Sequence, residues 1–142
     1  MATLHFTDRG HQEMMSVYFQ ATTAPSDFLA ALVNDTVVGT DDWSNISANA
    51  QTGTGYSEQT INRDATASGF PTGPALDSSE MMITSKQVTF TATGADWIAT
   101  TAIALKANMA TDRLICYANI TSVTLGNGES LLATFKPKLT KV

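Results

Sequence analysis

The second half of the chain alternates apolar and polar residues over several short segments in succession. The apolar positions are Val88, Phe90 and Ala92 in one segment, and Leu114, Cys116, Ala118 and Ile120 in another. A period of two places every second side chain on one face, which is typical of half-buried antiparallel strands. Turns rich in Gly, Asn and Asp separate the segments, at residues 93–96 and 126–129. The pattern therefore predicts a domain built mainly from β-strands.

The N-terminal residues show a different period. Residues 7–20 predict the only helix, which Thr7 or Asp8 would cap. Four apolar residues form a stripe along it at helical spacing, namely Met14, Met15, Tyr18 and Phe19. Residues 21–27, with Pro25, end the helix.

Four further segments complete the prediction. The continuous apolar run 28–33 is of strand length and indicates a central strand buried on both faces. Residues 34–55 are loop-like, a short strand follows over 56–62, and residues 65–80 form a Gly/Pro-rich loop. We expect an antiparallel, jelly-roll-like β-sandwich over 24–142, preceded by an arm with one short helix over 1–23. The 142 residues suffice for one core.

Composition narrows the possible partners. Only 15% of the residues are charged, and 22 threonines supply much of the polarity. The net charge of −5 argues against a nucleic-acid partner, which requires a basic surface. Residues 1–85 carry a net charge of −8 and residues 86–142 one of +3, with Lys136 and Lys138 near the C-terminus. The positively charged C-terminal end is either a solvated tail or a surface that contacts negative charges of another copy or of a partner.

Cys116, the single cysteine, lies in phase with its apolar neighbours, so we interpret it as a small buried residue. Residues 1–13 are too polar for a signal peptide, and no apolar run is long enough to span a membrane. We expect a protein that is made in a reducing cytoplasm and has no membrane partner.

Candidate catalytic groups are sparse. The two histidines, His5 and His11, precede the predicted sheet, and no serine lies in a nucleophile elbow. His11 and Glu13 point apart if they lie on a helix, which disfavours a metal site. No acid, base and nucleophile converge in the sequence, so we predict no enzyme activity, no cofactor and no bound metal. Trp43, Tyr56 and Trp97 are candidate stacking faces for a sugar, although Trp97 is expected in the core just past a turn.

Several short motifs occur in a characteristic order along the chain. They are Phe28-Leu29-Ala30-Ala31-Leu32 after Pro25, Gly53-Thr54-Gly55-Tyr56-Ser57, Val88 to Trp97 with its Ala92-Thr93-Gly94 turn, Ala102-Ile103-Ala104-Leu105, and Gly128-Glu129-Ser130-Leu131. In this order and spacing, over roughly residues 10–136, the chain resembles short virion proteins of tailed bacteriophages, a group of head decoration, cement or tail-fibre-like proteins. It departs from that pattern at three places. Glu58 stands where a basic residue is usual, and residues 106–112 stand where a Gly-Gly turn is usual. The Gly/Pro segment around Phe70 is additional.

The resemblance implies a non-enzymatic β-sandwich in the phage particle. We expect a capsid decoration (cement) protein that stabilises the head shell and contacts the major capsid protein as a homo-oligomer, with a trimer as one option. The alternatives are a tail or fibre component and a sugar-binding sandwich that recognises a host. The expected partner interface consists of Met14, Met15, Tyr18, Phe19, Phe70, Lys136 and Lys138.

Overall fold

Strands form most of the regular structure in the computed structural model, which describes residues 2–77 and 80–140. The strands are β1 (His5–Phe6), β2 (Asp27–Val33), β3 (Gln59–Asn62), β4 (Thr72–Asp77), β5 (Glu80–Thr84), β6 (Gln87–Thr91), β7 (Thr100–Ala107), β8 (Arg113–Val123), β9 (Ser130–Thr134) and β10 (Lys138–Thr140). The helices are α1 (Asp8–Phe19), α2 (Trp43–Ile46) and a 3-10 turn (Ser47–Asn49). Every pairing among the described strands is antiparallel. The predicted all-β, sandwich-like fold is therefore confirmed.

Two layers make up the sandwich. The first is a five-stranded sheet in the order β1-β8-β7-β2-β3. The second consists of the pair β6-β9 and the three-stranded sheet β10-β5-β4. Backbone hydrogen bonds join its two parts, because the Ser85 N–H donates to the Phe135 carbonyl (2.9 Å) and the Ile83 N–H donates to the Pro137 carbonyl (3.2 Å). The second layer is thus one bent ribbon, of which β6-β9 covers the core.

The larger core lies between the two layers. Its buried side chains come from the five-stranded sheet, from β6 and from the connecting segments: Ala30, Leu32, Ile61, Phe70, Val88, Phe90, Ala92, Trp97, Leu105, Ala107, Ile115, Cys116, Leu125 and Phe135. Cys116 is fully buried, as predicted, and this burial raises the pKa of its thiol. The thiol is therefore an inert part of the packing.

A second core covers the opposite face of the five-stranded sheet. It contains Ala31, Val33, Val37, Trp43, Ile46, Ala102, Ala104, Leu114 and Tyr117. Strand β2 contributes alternate residues to the two cores, which confirms the prediction that it is buried on both faces. The segment 34–55, predicted as loop, supplies the cover through α2. That helix begins with a reciprocal capping box between Asp42 and Asn45.

Helix α1 forms where the sequence predicts it, but it packs through a different face. Thr7 caps the helix by accepting from the Gly10 N–H at 2.9 Å. The buried residues are Gly10, which lies against the backbone of Ile115, and Glu13, which pairs with Arg113. A glycine and an ion pair therefore fix the helix to β8, and its apolar stripe is not the packing surface.

Strand β8 does not keep the regular alternation that the sequence predicts. Leu105 pairs with Cys116 but Lys106 pairs with Leu114, so Ile115 is an additional residue in β8. Such a β-bulge reverses the facing of the residues on either side of it. Leu114 and Cys116 accordingly lie in different cores, and residues 114–117 are all buried.

The predicted loop at 65–80 also contains a strand. Residues 72–77 form β4, which pairs with β5 and shifts register between Thr72 and Ala75. Pro74 is tolerated because β4 is an edge strand.

The predicted strand over 56–62 is shorter, since pairing begins at Gln59. Strand β1, which the sequence analysis does not predict, pairs with β8 beside the helix.

Trp97→Ala is expected to lower the free energy of unfolding by about 3 to 5 kcal/mol, because it removes a large aromatic from a packed core. Trp97 is 2% exposed, and its indole N–H donates to the Thr54 carbonyl at 2.8 Å. Chemical denaturation measures the change. The neighbouring Ile98 is exposed, so Ile98→Ala serves as the control and should shift stability by less than about 0.5 kcal/mol. Equal effects of the two variants would contradict this assignment of the core.

Gly10→Ala is expected to destabilise the protein by more than about 1 kcal/mol, although alanine favours a helix more than glycine does. A Cβ at position 10 would lie 2.0 Å from the carbonyl oxygen of Ile115, so α1 would have to move away from β8. Thermal unfolding measures the loss. Gly73→Ala is the control, since a Cβ there has no atom within 4 Å. A stabilised Gly10→Ala variant would contradict the close packing.

Candidate interaction surfaces

An apolar surface lies at the C-terminal end of α1. Tyr18 is 85% exposed and Phe19 73% exposed, with ring centroids 5.7 Å apart, and Met15 is also exposed. These positions are spaced i, i+3 and i+4, so they share one face of the helix. We call Met15, Tyr18 and Phe19 the helix patch. Met14, the fourth residue of the predicted stripe, is half-buried beside it.

A groove of about 1110 Å³ opens between the two layers of the sandwich. One wall is formed by β7 and β8 and the other by β9 with the residues after it. Apolar side chains line much of it, namely Leu4, Ile103, Ile120, Val123, Leu131 and Ala133. Several of these also pack against the larger core, so the groove is a solvent-filled continuation of the space between the layers.

Lys136 and Lys138, two of the predicted interface residues, both line this groove. The Lys138 ammonium lies 2.9 Å from a carboxylate oxygen of Glu80, which lines the groove as well. Lys136 is exposed. The structure therefore places the predicted lysines on a different surface from the helix patch.

Phe70 lies in the interior and is not the outward anchor that the sequence analysis expects. It is 8% exposed, and its ring meets that of Phe28 edge-on at 5.9 Å. Backbone hydrogen bonds fix the segment on both sides: the Phe70 N–H donates to the Asp64 carbonyl, and the Lys86 N–H donates to the Gly69 carbonyl. The Gly/Pro segment thus delivers an aromatic ring to this chain's own core.

The aromatic rings considered for sugar stacking also pack inside the protein. Tyr56 meets Trp97 edge-on at 5.3 Å and stacks on Phe90 at 6.2 Å. Its hydroxyl accepts a hydrogen bond from the Leu32 N–H at 2.9 Å. Trp43 is buried in the second core. Trp43 and Trp97 are buried and Tyr56 is half-buried beside two aromatic rings, so the three side chains give the sugar-binding alternative no support.

A buried charged cluster surrounds Lys106, which is only 4% exposed. Its ammonium group lies 2.9 Å from Glu58, 2.5 Å from Asp112 and 4.2 Å from the ring centre of Trp43. A buried ammonium needs such partners because desolvation otherwise disfavours its charge. Sequence reasoning missed this cluster. The only available signal was a lysine inside an otherwise apolar strand.

The histidines lie beside aromatic rings. The His5 ring centre is 5.6 Å from that of Tyr117, and the His11 ring centre is 5.3 Å from that of Phe6.

No group of three or more metal-ligating side chains occurs within residues 2–77 and 80–140. In the same part of the chain no helix is long and apolar enough to cross a membrane.

No protein-family model matches this chain, and no curated protein or solved structure is significantly similar to it.

Alkaline pH should destabilise the wild-type protein through Tyr56. Burial raises the pKa of Tyr56 to about 12, against the opposing effect of the Leu32 N–H donor. The folded state then holds its proton between pH 10 and 12 while the unfolded state loses it, so stability falls as pH rises through this window. The loss from this group approaches about 2 to 3 kcal/mol.

Denaturation of wild type and Tyr56→Phe at pH 8 and pH 11.5 measures this contribution. The variant lacks the phenol, so its stability should fall less over the same interval, although it is less stable at pH 8 because the Leu32 N–H loses its acceptor. Parallel losses in the two proteins would show that other groups cause the alkaline destabilisation.

Proposed function

We propose that this chain is a structural subunit of a tailed-bacteriophage virion and acts as a capsid decoration protein that binds the outer shell in multiple copies. The helix patch is the observation that carries this proposal. It exposes two aromatic rings and a methionine on a helix that is already fixed to the fold by Gly10 and Glu13. An exposed cluster of large apolar side chains commonly marks an interaction site.

The helix patch is not needed to hold α1 in place. The capping by Thr7, the close approach of Gly10 to Ile115 and the Glu13–Arg113 ion pair all lie on the opposite side of the helix or at its start. Tyr18 and Phe19 are therefore available to a partner without any change in the fold. Aromatic residues contribute strongly to binding when a partner buries them.

Binding to a capsid makes use of such a small surface. A patch of three side chains gives modest affinity for one site, but a closed lattice repeats the site many times. If each copy also contacts its neighbours, the repeated weak contacts act together and hold the layer on the shell. The order of motifs that resembles phage virion proteins supports the choice of a phage particle.

The combined variant Tyr18→Ser with Phe19→Ser is expected to lose binding to phage heads that lack this protein. Burial of two aromatic side chains is worth several kcal/mol, so the apparent affinity should fall at least about tenfold. Co-sedimentation of purified protein with DNA-filled, tailless heads measures binding. The matched control is Val38→Ser, which removes an exposed apolar side chain elsewhere. It should bind as the wild type does.

The same assay compares heads with isolated tails. Binding of wild-type protein to tails and not to heads would overturn the decoration proposal in favour of a tail component. Undiminished binding by the double variant would show that the helix patch is not the attachment surface. Circular dichroism should show that both variants keep the wild-type fold, because the substituted side chains are exposed.

A further inference from the structure

The outer edge of β9 has no partner strand in the described part of the chain. β9 pairs with β6 along Ser130–Thr134, in five consecutive register positions without a bulge. The groove runs along the other side of β9, where no backbone hydrogen bond to the strand occurs among the described residues. An unpaired edge presents a row of N–H and C=O groups that can pair with another strand.

This edge also lacks the features by which sheet proteins prevent such pairing. Residues 130–135 contain neither proline nor a charged residue, and Leu132 at the centre is 53% exposed. The edge strand β4, in contrast, contains Pro74 and shifts register. In β8 the pairing is irregular opposite Thr100 and Ala102. Strand β6 is equally regular and uncharged over residues 87–91, but β3 packs beside it, so β9 is the edge best suited to adding a strand.

The charges at the two ends of β9 indicate which strand fits. Glu129 lies at its start, and Asp96 is beside it, accepting from the Asn127 N–H at 2.7 Å. Lys136 lies just past its end. When β9 pairs antiparallel with the same strand of a second copy, the acidic end of each strand lies beside the basic end of the other. Strand β9 is thus complementary in charge to the same strand of a second copy.

We propose that two copies of this chain pair antiparallel through β9. The pairing creates a continuous four-stranded sheet in the order β6-β9-β9-β6, with a two-fold axis near Leu132. It also brings the two grooves together, so that apolar residues such as Leu131 and Ala133 are covered by the second copy. The pairing uses neither Tyr18 nor Phe19, so it can be tested separately from attachment to the capsid.

The first test compares oligomeric state by size-exclusion chromatography with light scattering. Wild-type protein should be a dimer, and Leu132→Lys should be a monomer, because two lysines would meet near the axis. The matched control is Thr89→Lys. Thr89 lies directly opposite Leu132 on β6, and like Leu132 it is exposed. It should remain dimeric, and thermal unfolding should show that both variants are folded.

The second test fixes the geometry with cysteines, and the buried Cys116 gives little background. Residues opposite each other in an antiparallel pair have Cα atoms about 4.5 to 5.5 Å apart, which suits a disulfide. Under mild oxidation Leu132→Cys, which lies next to its own copy at the two-fold axis, should form a covalent dimer. Thr89→Cys should not, because the two β6 strands lie three strand spacings apart, about 14 Å.

Three results would overturn the proposal: a wild-type protein that stays monomeric at high micromolar concentration, a Leu132→Lys variant that stays dimeric, or equal cross-linking through position 89. The capsid proposal gives a separate readout. The Tyr18→Ser, Phe19→Ser variant should still dimerise while it loses binding to heads. A dimer that depends on Tyr18 and Phe19 would instead place the self-contact on the helix patch.

Discussion

The rest of the structure depends on a five-stranded sheet whose central strands are buried on both faces. Strands β2 and β7 carry alanines toward the second core, among them Ala31, Ala102 and Ala104. Small residues allow the covering segments to approach closely, and both faces must be covered because each is apolar. The bent ribbon of β6-β9 covers one face. The segment around α2 covers the other, and α1 packs beside it on β8.

Because both faces of the sheet are covered, the charged side chain of Lys106 lies in the interior. Lys106 lies in β7, where both sides of the sheet are enclosed, so its ammonium group can stay ionised only with local partners. Glu58 and Asp112 provide the opposite charges and Trp43 provides the aromatic face. These partners come from the segments before β3 and before β8 and from α2. The cluster thereby links the second core to the connections before β3 and before β8.

The sandwich is closed on one side and open on the other. Strand β3 lies against β6 on the closed side, and the groove separates β8 from β9 on the open side. An open sandwich leaves apolar side chains and strand edges in contact with water, which is unfavourable for an isolated monomer. The helix patch exposes further apolar side chains to water, on a different element of the fold. The two proposals use these exposures: the capsid proposal places the helix patch against a shell, and the dimer proposal places β9 against a second copy.

The sequence by itself determined the local elements. Period-two alternation identified the strand-rich fold, a capping residue at Thr7 or Asp8 identified the start of the helix, and the apolar run at 28–33 identified a strand buried on both faces. Each of these signals depends only on neighbouring residues. The tertiary structure alone decided which surfaces are open. The sequence cannot show that Phe70 turns inward to meet Phe28, or that α1 packs through Gly10, because those contacts join residues far apart in the chain. A one-residue bulge in β8 is enough to reverse the facing of its side chains, and only the pairing with β7 reveals it.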